Sequence, residues 1–589
     1  MDTKVDLIWK KLTVKTNDTF ILDECSGKAY NSSITVVVGG TGSGKSVLFE
    51  ILAGRLNNDL IISGDVRIDD NNRDRKNIHT SSLKTGSIVV LIDETFYFLE
   101  KQTVWETIYF AVHFFNINEP DSILKEKTQF IISTLDLNKK SGQMLFELSQ
   151  GEKKLVYIGT VLAEDPSIIL IDDPFDYLDK WHVTRIFTLL KKLTKRSKTI
   201  LIAISAPYEE VLKRCDKIFI LANHSFIFEG TYPQYRKFYS ETGMDPNDFV
   251  NELVTIDYSS EGSRIKDTQK IRELKHKWYT NNPINEDLTE YQIIKYTEQK
   301  KSFKKISLIM KRHLQIFTRS KDAYMTLVLQ KLIFFIISII AYPIIGYTQE
   351  DIQTRYGLIS FLLLNNIDRS LSIVLSSVSI SRFASRREII FGLYTSTEAY
   401  IAEYIFDFLL IYFASVLYMI PVYWIAQVNN NFYRFSLFLI NHFFLTNFTV
   451  AYAIFVNVAT CTPREASMFG ALGLLFFSAF SGIFINVETL HNFAYWITWI
   501  SPLYYAFEFN LQVSLSNLRF VCDSESCYKT GKEALEDMKL IRIDKFISLA
   551  IFIMFIVFFI FLGVIVMAIK FKPRMKNEKI NIFQYFLVN

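Results

Sequence analysis

Apolar and polar residues alternate with two different rhythms along this chain. Up to about residue 300, short apolar runs are broken by charges, as in folded domains that meet water. From about residue 323 the runs lengthen to roughly 20 residues of Phe, Ile, Leu and Tyr, enough to cross the hydrocarbon core of a bilayer. The pattern predicts six spans, at about 323–346, 356–379, 398–425, 433–458, 464–486 and 544–570. Residues 251–300 are polar and lack a clear period, which predicts a linker with some helix around a turn at Asn281-Asn282-Pro283. Next, Phe303, Ile306, Met310, Leu314 and Phe317 recur at spacings of three and four, one apolar stripe on a helix over 301–320. Lys304, Lys305, Lys311 and Arg312 fall largely off that stripe, so the helix suits a membrane surface.

In the front half the β-branched run Ile34 to Val38 leads into Gly39-Gly40-Thr41-Gly42-Ser43-Gly44-Lys45-Ser46, and a helical stretch follows. Strand, glycine-rich loop and helix in that order make a P-loop. The glycines let backbone N–H groups close around phosphate oxygens, and the helix N-terminus adds a favourable dipole. Lys45 is expected on the β and γ phosphates, and the Ser46 hydroxyl on Mg²⁺. A second element narrows the class. Leu148-Ser149-Gln150-Gly151-Glu152 opens a helical stretch, and the apolar run Ile168 to Ile171 later ends in Asp172-Asp173-Pro174, with Asp172 suited to hold Mg²⁺. The expected fold is an α/β P-loop NTPase domain followed by an all-α polytopic membrane domain. Its limits are 1–250 for the nucleotide-binding domain, 251–300 for the linker and 301–589 for the membrane domain.

These motifs resemble those of ABC ATPases, whose signature reads LSGGQ and whose Walker B strand ends in Asp-Glu-Pro. The resemblance implies that Ser149, Gln150, Gly151 and Glu152 contact ATP bound by an opposite subunit, so that two nucleotide domains sandwich ATP head to tail. Finer features resemble the G subfamily of half-transporters. Gly151 to Gly159 follows its GERKRVSIG pattern, Asp245 to Phe249 its Asn-Pro-Ala-Asp-Phe motif, and the nucleotide domain comes first.

Three positions depart from the family pattern. Aligned on Thr103-Val104-Trp105-Glu106, the Q-loop glutamine falls on Glu94. The catalytic glutamate is Asp173, and the switch histidine is Ser205. A general base works within about 2.6–3.2 Å of the attacking water, and an aspartate begins roughly 1 Å short of that position. Ser205 offers a hydrogen bond but no charge. Glu94 remains able to ligate Mg²⁺ while adding negative charge beside the phosphates. ATP binding is expected to be intact. Three readings of turnover stay open: a slow ATPase, a heterodimer with one degenerate site, or a dimer that binds ATP and scarcely hydrolyses it.

In the membrane half, Arg387 to Tyr394 resembles the subfamily's coupling helix, and Ser481 to Asn486 with Trp499 to Tyr505 resembles the end of span five and its re-entrant continuation. By that resemblance Ile483 and Phe484 match an apolar plug above the cavity, with a lipid-facing role as the alternative. Cys522 and Cys527 lie in the long loop before span six, where the subfamily often has a disulfide; free thiols are the alternative. Span two carries Asn365, Asn366, Asp368 and Arg369 near mid-membrane, where ionisable groups are expensive. They are expected either to line a substrate cavity or to pair and fix helix packing.

Charge changes the picture in two ways. A net +4 over 589 residues gives no case for a nucleic-acid partner. Basic residues at Arg382, Arg386, Arg387, Lys570, Lys572, Arg574 and Lys576 put both termini in the cytoplasm by the positive-inside rule. The N-terminus also lacks the apolar stretch of a signal peptide. The function expected from the resemblance is ATP-driven transport, as export, of small lipophilic or amphipathic compounds by a dimer of half-transporters in a plasma membrane or endomembrane. ATP and Mg²⁺ are the expected cofactors, and membrane lipid and a second half-transporter the expected partners. The alternative is a hydrolysis-poor regulatory subunit that completes a partner's ATPase site.

Overall fold

The computed structural model describes residues 5–16, 19–40, 42–54, 60–70, 73–77, 89–92, 99–176, 178–206, 208–240, 269, 271–276, 302–460, 462–485, 495–521, 527–537 and 543–571. The chain divides into two compact units. One is Met1–Lys300 with Ile390–Leu393 and Pro573–Lys579, the other Lys301–Ile389, Tyr394–Lys572 and Ile580–Asn589. Of the expected linker, only residues 269 and 271–276 are described, and they are helical.

The first unit is built on two sheets. Strands β1 (Val5–Lys15), β2 (Phe20–Ala29), β4 (Ile61–Asp70) and β5 (Arg73–Asn77) form an antiparallel sheet in the order β2-β1-β4-β5. Strands β3 (Ile34–Gly39), β6 (Val89–Ile92), β7 (Ile168–Asp172), β8 (Thr199–Ile204), β9 (Lys217–Ala222) and β10 (Ser225–Gly230) form the second, in the order β10-β9-β3-β8-β7-β6. From β9 to β6 this sheet is parallel. Its central strands read ITVVVG, TILIAI and IILID, continuous apolar runs that suit strands covered on both faces. Helices α1 (Lys45–Leu52), α2 (Val104–Phe115), α3 (Asp121–Thr134), α4 (Gln150–Leu162), α5 (Lys180–Thr194), α6 (Glu209–Leu212) and α7 (Tyr232–Ser240) complete the unit. Trp9, Phe219 and Phe226 pack against one another at tilted angles in its core, and the Cys25 thiol in the same cluster is pushed up to about 12 by burial, so it is inert.

The second unit is built of helices joined by turns among its described residues: α8 (Phe303–Arg319), α9 (Lys321–Ala341), α10 (Gln349–Ile390), α11 (Ser396–Ile425), α12 (Phe432–Ala459), α13 (Pro463–Ala479), α14 (Ile497–Ile500), α15 (Pro502–Leu515), α16 (Gly531–Asp537) and α17 (Lys545–Phe571). Of these, α11, α12 and α17 are long and apolar enough to cross a membrane, and Met325–Ala341 is a shorter apolar helix. One expectation is corrected here. The apolar run carries the fifth span to residue 486, but its helix stops at Ala479, because Ser481 turns its hydroxyl back onto the Ser478 carbonyl and Gly482 takes φ +85°. Arg355, near the start of the second apolar run, lies inside α10 and is fully buried. Its guanidinium donates to the carbonyls of Ile345, Gly346, Gln427 and Val428, groups that no helix can satisfy where the chain turns.

Helix α8 inverts part of the expected pattern. The stripe residues Phe303 and Leu314 are exposed in the protein, whereas Lys305 and Arg312 are buried together with Leu308 and Ile309. Charge partners decide this. Arg312 Nη1 lies 2.8 Å from Glu388 Oε1, and Tyr394 Oη bonds the other Glu388 oxygen while also accepting from Arg312. Burial alone would raise the Glu388 pKa, but Arg312 and Tyr394 hold it below the usual carboxylate range. A basic residue that seemed to face the membrane surface thus fastens α8 to the ends of α10 and α11. Arg312→Met should leave Glu388 buried without its cation and destabilise this unit by about 3–5 kcal/mol. The drop in thermal midpoint of detergent-purified protein measures this, and the double variant Arg312→Met/Glu388→Leu should recover most of it.

Candidate functional site

Parallel strands deliver the site to one edge of the second sheet. Val38 pairs with Ile204, Asp172 with Ala203 and Ile92 with Ile171, so β3, β8, β7 and β6 all end on the same side. The P-loop follows β3, Asp173 follows β7 and Ser205 follows β8. Ligands of open α/β sheets bind at this carboxyl edge.

The P-loop is shaped for a polyanion. Gly44 has φ +101° and a Cβ there would sit 2.7 Å from the Ile21 carbonyl, while one at Gly39 would meet Ser43 Oγ at 2.6 Å. Only glycine fits either place. Lys45 Nζ is buried and donates to the carbonyls of Gly39, at 2.6 Å, and Gly40, at 3.2 Å. The ammonium is therefore stored within the loop, within reach of any phosphate that enters. Ser43 Oγ is buried with no hydrogen-bond partner among the described residues, a polar atom left for a ligand. Ser46, next on α1, is exposed, as a metal-facing hydroxyl needs to be. Thr41 and Glu94 lie outside the described residues.

At the end of β7 the two unusual residues meet. Ser205 Oγ donates to Asp173 Oδ2 at 2.7 Å, and Asp173 Oδ1 is buried without a hydrogen-bond partner among the described residues. The shortened acid and the replaced histidine thus form a pair, which single-position reading could not reveal. Asp173 also adopts φ +41°, a conformation that costs a non-glycine residue of order 1 kcal/mol or more. Lys154 of α4 offsets that strain by donating to the carbonyls of Asp173, Pro174 and Asp176 at 3.3, 3.1 and 3.0 Å, and the Asp173 N–H bonds Ala203 O. Lys154 was not singled out in the sequence, because a lysine on an amphipathic helix looks like a solvated one. Asp172 closes β7 beside this loop.

The signature stretch opens α4. Ser149 is its N-cap, with Glu152 N–H donating to Ser149 Oγ and Glu152 Oε2 accepting from Ser149 N–H, a reciprocal capping box. Burial would raise the Glu152 carboxyl, but Lys140, 2.5 Å away, and the Ser149 N–H pull it below the usual range. Ser149 and Gln150 are exposed, while Gly151 is buried under the ring of His182. Asp245 to Phe249 lie outside the described residues.

In the second unit Asn365 Nδ2 donates to Tyr418 Oη at 2.9 Å, and Asn366 Nδ2 to Thr446 Oγ1 at 3.1 Å, so both asparagines bond neighbouring helices of the same chain, while Asn365 Oδ1 is buried without a hydrogen-bond partner among the described residues. Asp368 and Arg369 belong to α10, and their side chains lie outside the described residues. Ile483 is half-buried and Phe484 is 63% exposed, next to a Gly482 carbonyl that Tyr356 Oη holds. Cys527 is disulfide-bonded, and Cys522 lies outside the described residues. The buried acids Glu403 and Asp407 of α11 had no sequence signal beyond their polar character in an apolar run.

A P-loop, a Walker B acid and a capped signature helix define an ATP-binding cassette, here on the same chain as a helical membrane unit. Comparison with known proteins agrees. Residues 22–176 match the family described as ABC transporter, and residues 304–514 match that described as ABC-2 type transporter. ABC transporter G family member 23 of Arabidopsis thaliana is 24% identical over 571 residues, covering 93% of this chain and 88% of the relative. ABC transporter G family member 22 of Dictyostelium discoideum is 25% identical over 587 residues, covering 92% and 90%. The human ATP-binding cassette sub-family G member 5 is 24% identical over 365 residues, 57% of this chain and 55% of its own. The chain belongs to the G subfamily of ABC transporters, integral membrane proteins that bind ATP and couple its hydrolysis to transport.

Because Lys154 holds the carbonyl side of the Asp173 loop, Lys154→Met should lower the kcat of ATP turnover about tenfold. The KM for ATP should stay within about twofold, as expected when only transition-state alignment is lost. Steady-state ATPase assays of the full chain in nanodiscs measure both.

Proposed function

We propose that this chain is one half of a dimeric exporter of small lipophilic or amphipathic compounds. The observation that carries the dimer is the signature: Ser149 and Gln150 are exposed at the start of α4, so the donors suited to a γ-phosphate await a nucleotide brought by another subunit. ATP lies on the P-loop with Lys45 on its phosphates, and Gly39, Gly40, Thr41, Gly42, Ser43 and Gly44 form its cradle. Ser46 and Asp172, with Glu94, hold Mg²⁺, which supplies charge neutralisation on the transferred phosphoryl group. Asp173 orients or deprotonates the attacking water, kept in place by the Ser205 hydroxyl and by Lys154. Both termini are cytoplasmic, and Ile483 and Phe484 close the cavity on the exit side. The lipophilic substrate class rests on the resemblance, and the polar groups of α10 restrict what passes. Cys522 and Cys527 pair outside.

The experiment is ATPase and transport by the purified full chain in nanodiscs and proteoliposomes, with stoichiometry measured on the same sample. A dimer of one chain whose turnover amphipathic compounds stimulate is the expected result, and Asp173→Asn should reduce that turnover about 10²-fold or more. Turnover that appears only on adding a second, different half-transporter would favour the subunit that completes a partner's site. Replacing Asp368 and Arg369 together by Leu should abolish export with ATP binding retained; unchanged transport would reduce the pair to a packing device.

A further inference from the structure

The departures at the ATP site leave a specific deficit. A histidine at position 205 would give the γ-phosphate a cationic donor, but Ser205 has one hydroxyl proton, and that proton is committed to Asp173 Oδ2 at 2.7 Å. Among the described residues a different histidine sits against the signature. His182, in the first turn of α5, lies over Gly151 so closely that a Cβ on that glycine would be 2.6 Å from its Cδ2. The ring is held from two sides. Asp179, the N-cap of α5, accepts from the His182 backbone N–H at 2.9 Å through Oδ1, and its Oδ2 lies 2.9 Å from His182 Nδ1. Trp181 meets the ring edge-on with centroids 4.8 Å apart. A carboxylate only accepts, so Nδ1 carries a proton; the side chain is 19% exposed, and the edge that carries Cδ2 and Nε2 is the one set against Gly151. Beside it Ser149, Gln150, Lys180 and Trp181 are all exposed, Trp181 at 63%. An imidazole oriented by a carboxylate, with its Nε2 edge set against the signature glycine, is arranged to meet what the signature binds.

We propose that His182 donates from Nε2 to the γ-phosphate of ATP bound on the P-loop of a second copy of this chain, supplying in trans the cationic donor that Ser205 does not. The inference rests on the dimeric reading above. With Nδ1 protonated toward Asp179, donation from Nε2 uses the ring as an imidazolium, with one proton on each nitrogen. No bond beyond those of ATP hydrolysis is made or broken. His182 stabilises charge on the phosphoryl oxygens, the largest electrostatic contribution a fixed donor makes to such a reaction.

The test uses the full chain in nanodiscs. His182→Phe keeps a ring against Gly151 but removes both nitrogens, which separates donation from packing. It should lower kcat about 10²-fold, as loss of one preorganised donor does, with the assembly still dimeric. His182→Gln, which keeps an N–H donor, should restore part of the rate. The decisive measurement pairs two differently tagged copies, one His182→Phe and one Asp173→Asn, purified through both tags. If His182 acts in trans, that mixed dimer holds one site with Asp173 and the opposing His182 both intact, and it turns over ATP although each variant alone is nearly inactive. Inactivity of the mixed dimer, or a native rate for His182→Phe, overturns the assignment while leaving the dimer intact. A chain that is monomeric in the same sample overturns the dimer and the assignment together.

Discussion

Everything at the ATP site depends on the parallel pairing of β3, β8 and β7. Parallel strands buried on both faces must end at the same edge, and their apolar runs leave no alternative register without exposing Val36, Ile202 or Leu170. The chain therefore has to turn at that edge three times, and each turn carries a polar residue that the sheet interior could not hold. Lys45, Asp173 and Ser205 are far apart in sequence and converge for this reason alone. The glycines then set how near a phosphate can come, since the space that a Cβ would fill at Gly39 is already taken by Ser43.

The first unit was legible because its signals are local. A β-branched strand, a glycine-rich turn and a helix in fixed order need no tertiary context, and the capping box of Ser149 and Glu152 lies within four residues. What escaped was contact between distant residues. Asp173 and Ser205 read as two separate losses, one of length and one of charge, and the hydrogen bond between them appears only when β7 and β8 are neighbours. Lys154 and His182 escaped for a related reason. Each looks like an ordinary helix residue until the carbonyls beyond Walker B, or the bare face of Gly151, are set against it.

In the second unit hydropathy finds the longest helices and misplaces the boundaries where polar groups intervene. The periodicity of α8 correctly marked two faces, but the sequence does not say that Glu388 would draw Arg312 inside. The same holds for Arg355, whose charge would count toward topology if it stood in a loop, yet which spends its donors on four backbone carbonyls. Charge in this unit is used first to satisfy the backbone and join helices. The asparagines of α10 follow the same rule, since each is already bonded to a neighbouring helix.

Helix α4 carries Ser149 at its tip and Lys154 about one and a half turns further on, about 7.5 Å along the axis at 1.5 Å per residue. A helix that short does not bend easily, so the tip and the lysine move as a rod. On the dimeric reading the tip senses nucleotide on one subunit, whereas Lys154 grips the loop that aims the carboxylate at nucleotide on the other. On that reading a shift of the tip would be felt at Asp173, and one stiff lever would keep the two ATP molecules of a dimer in step.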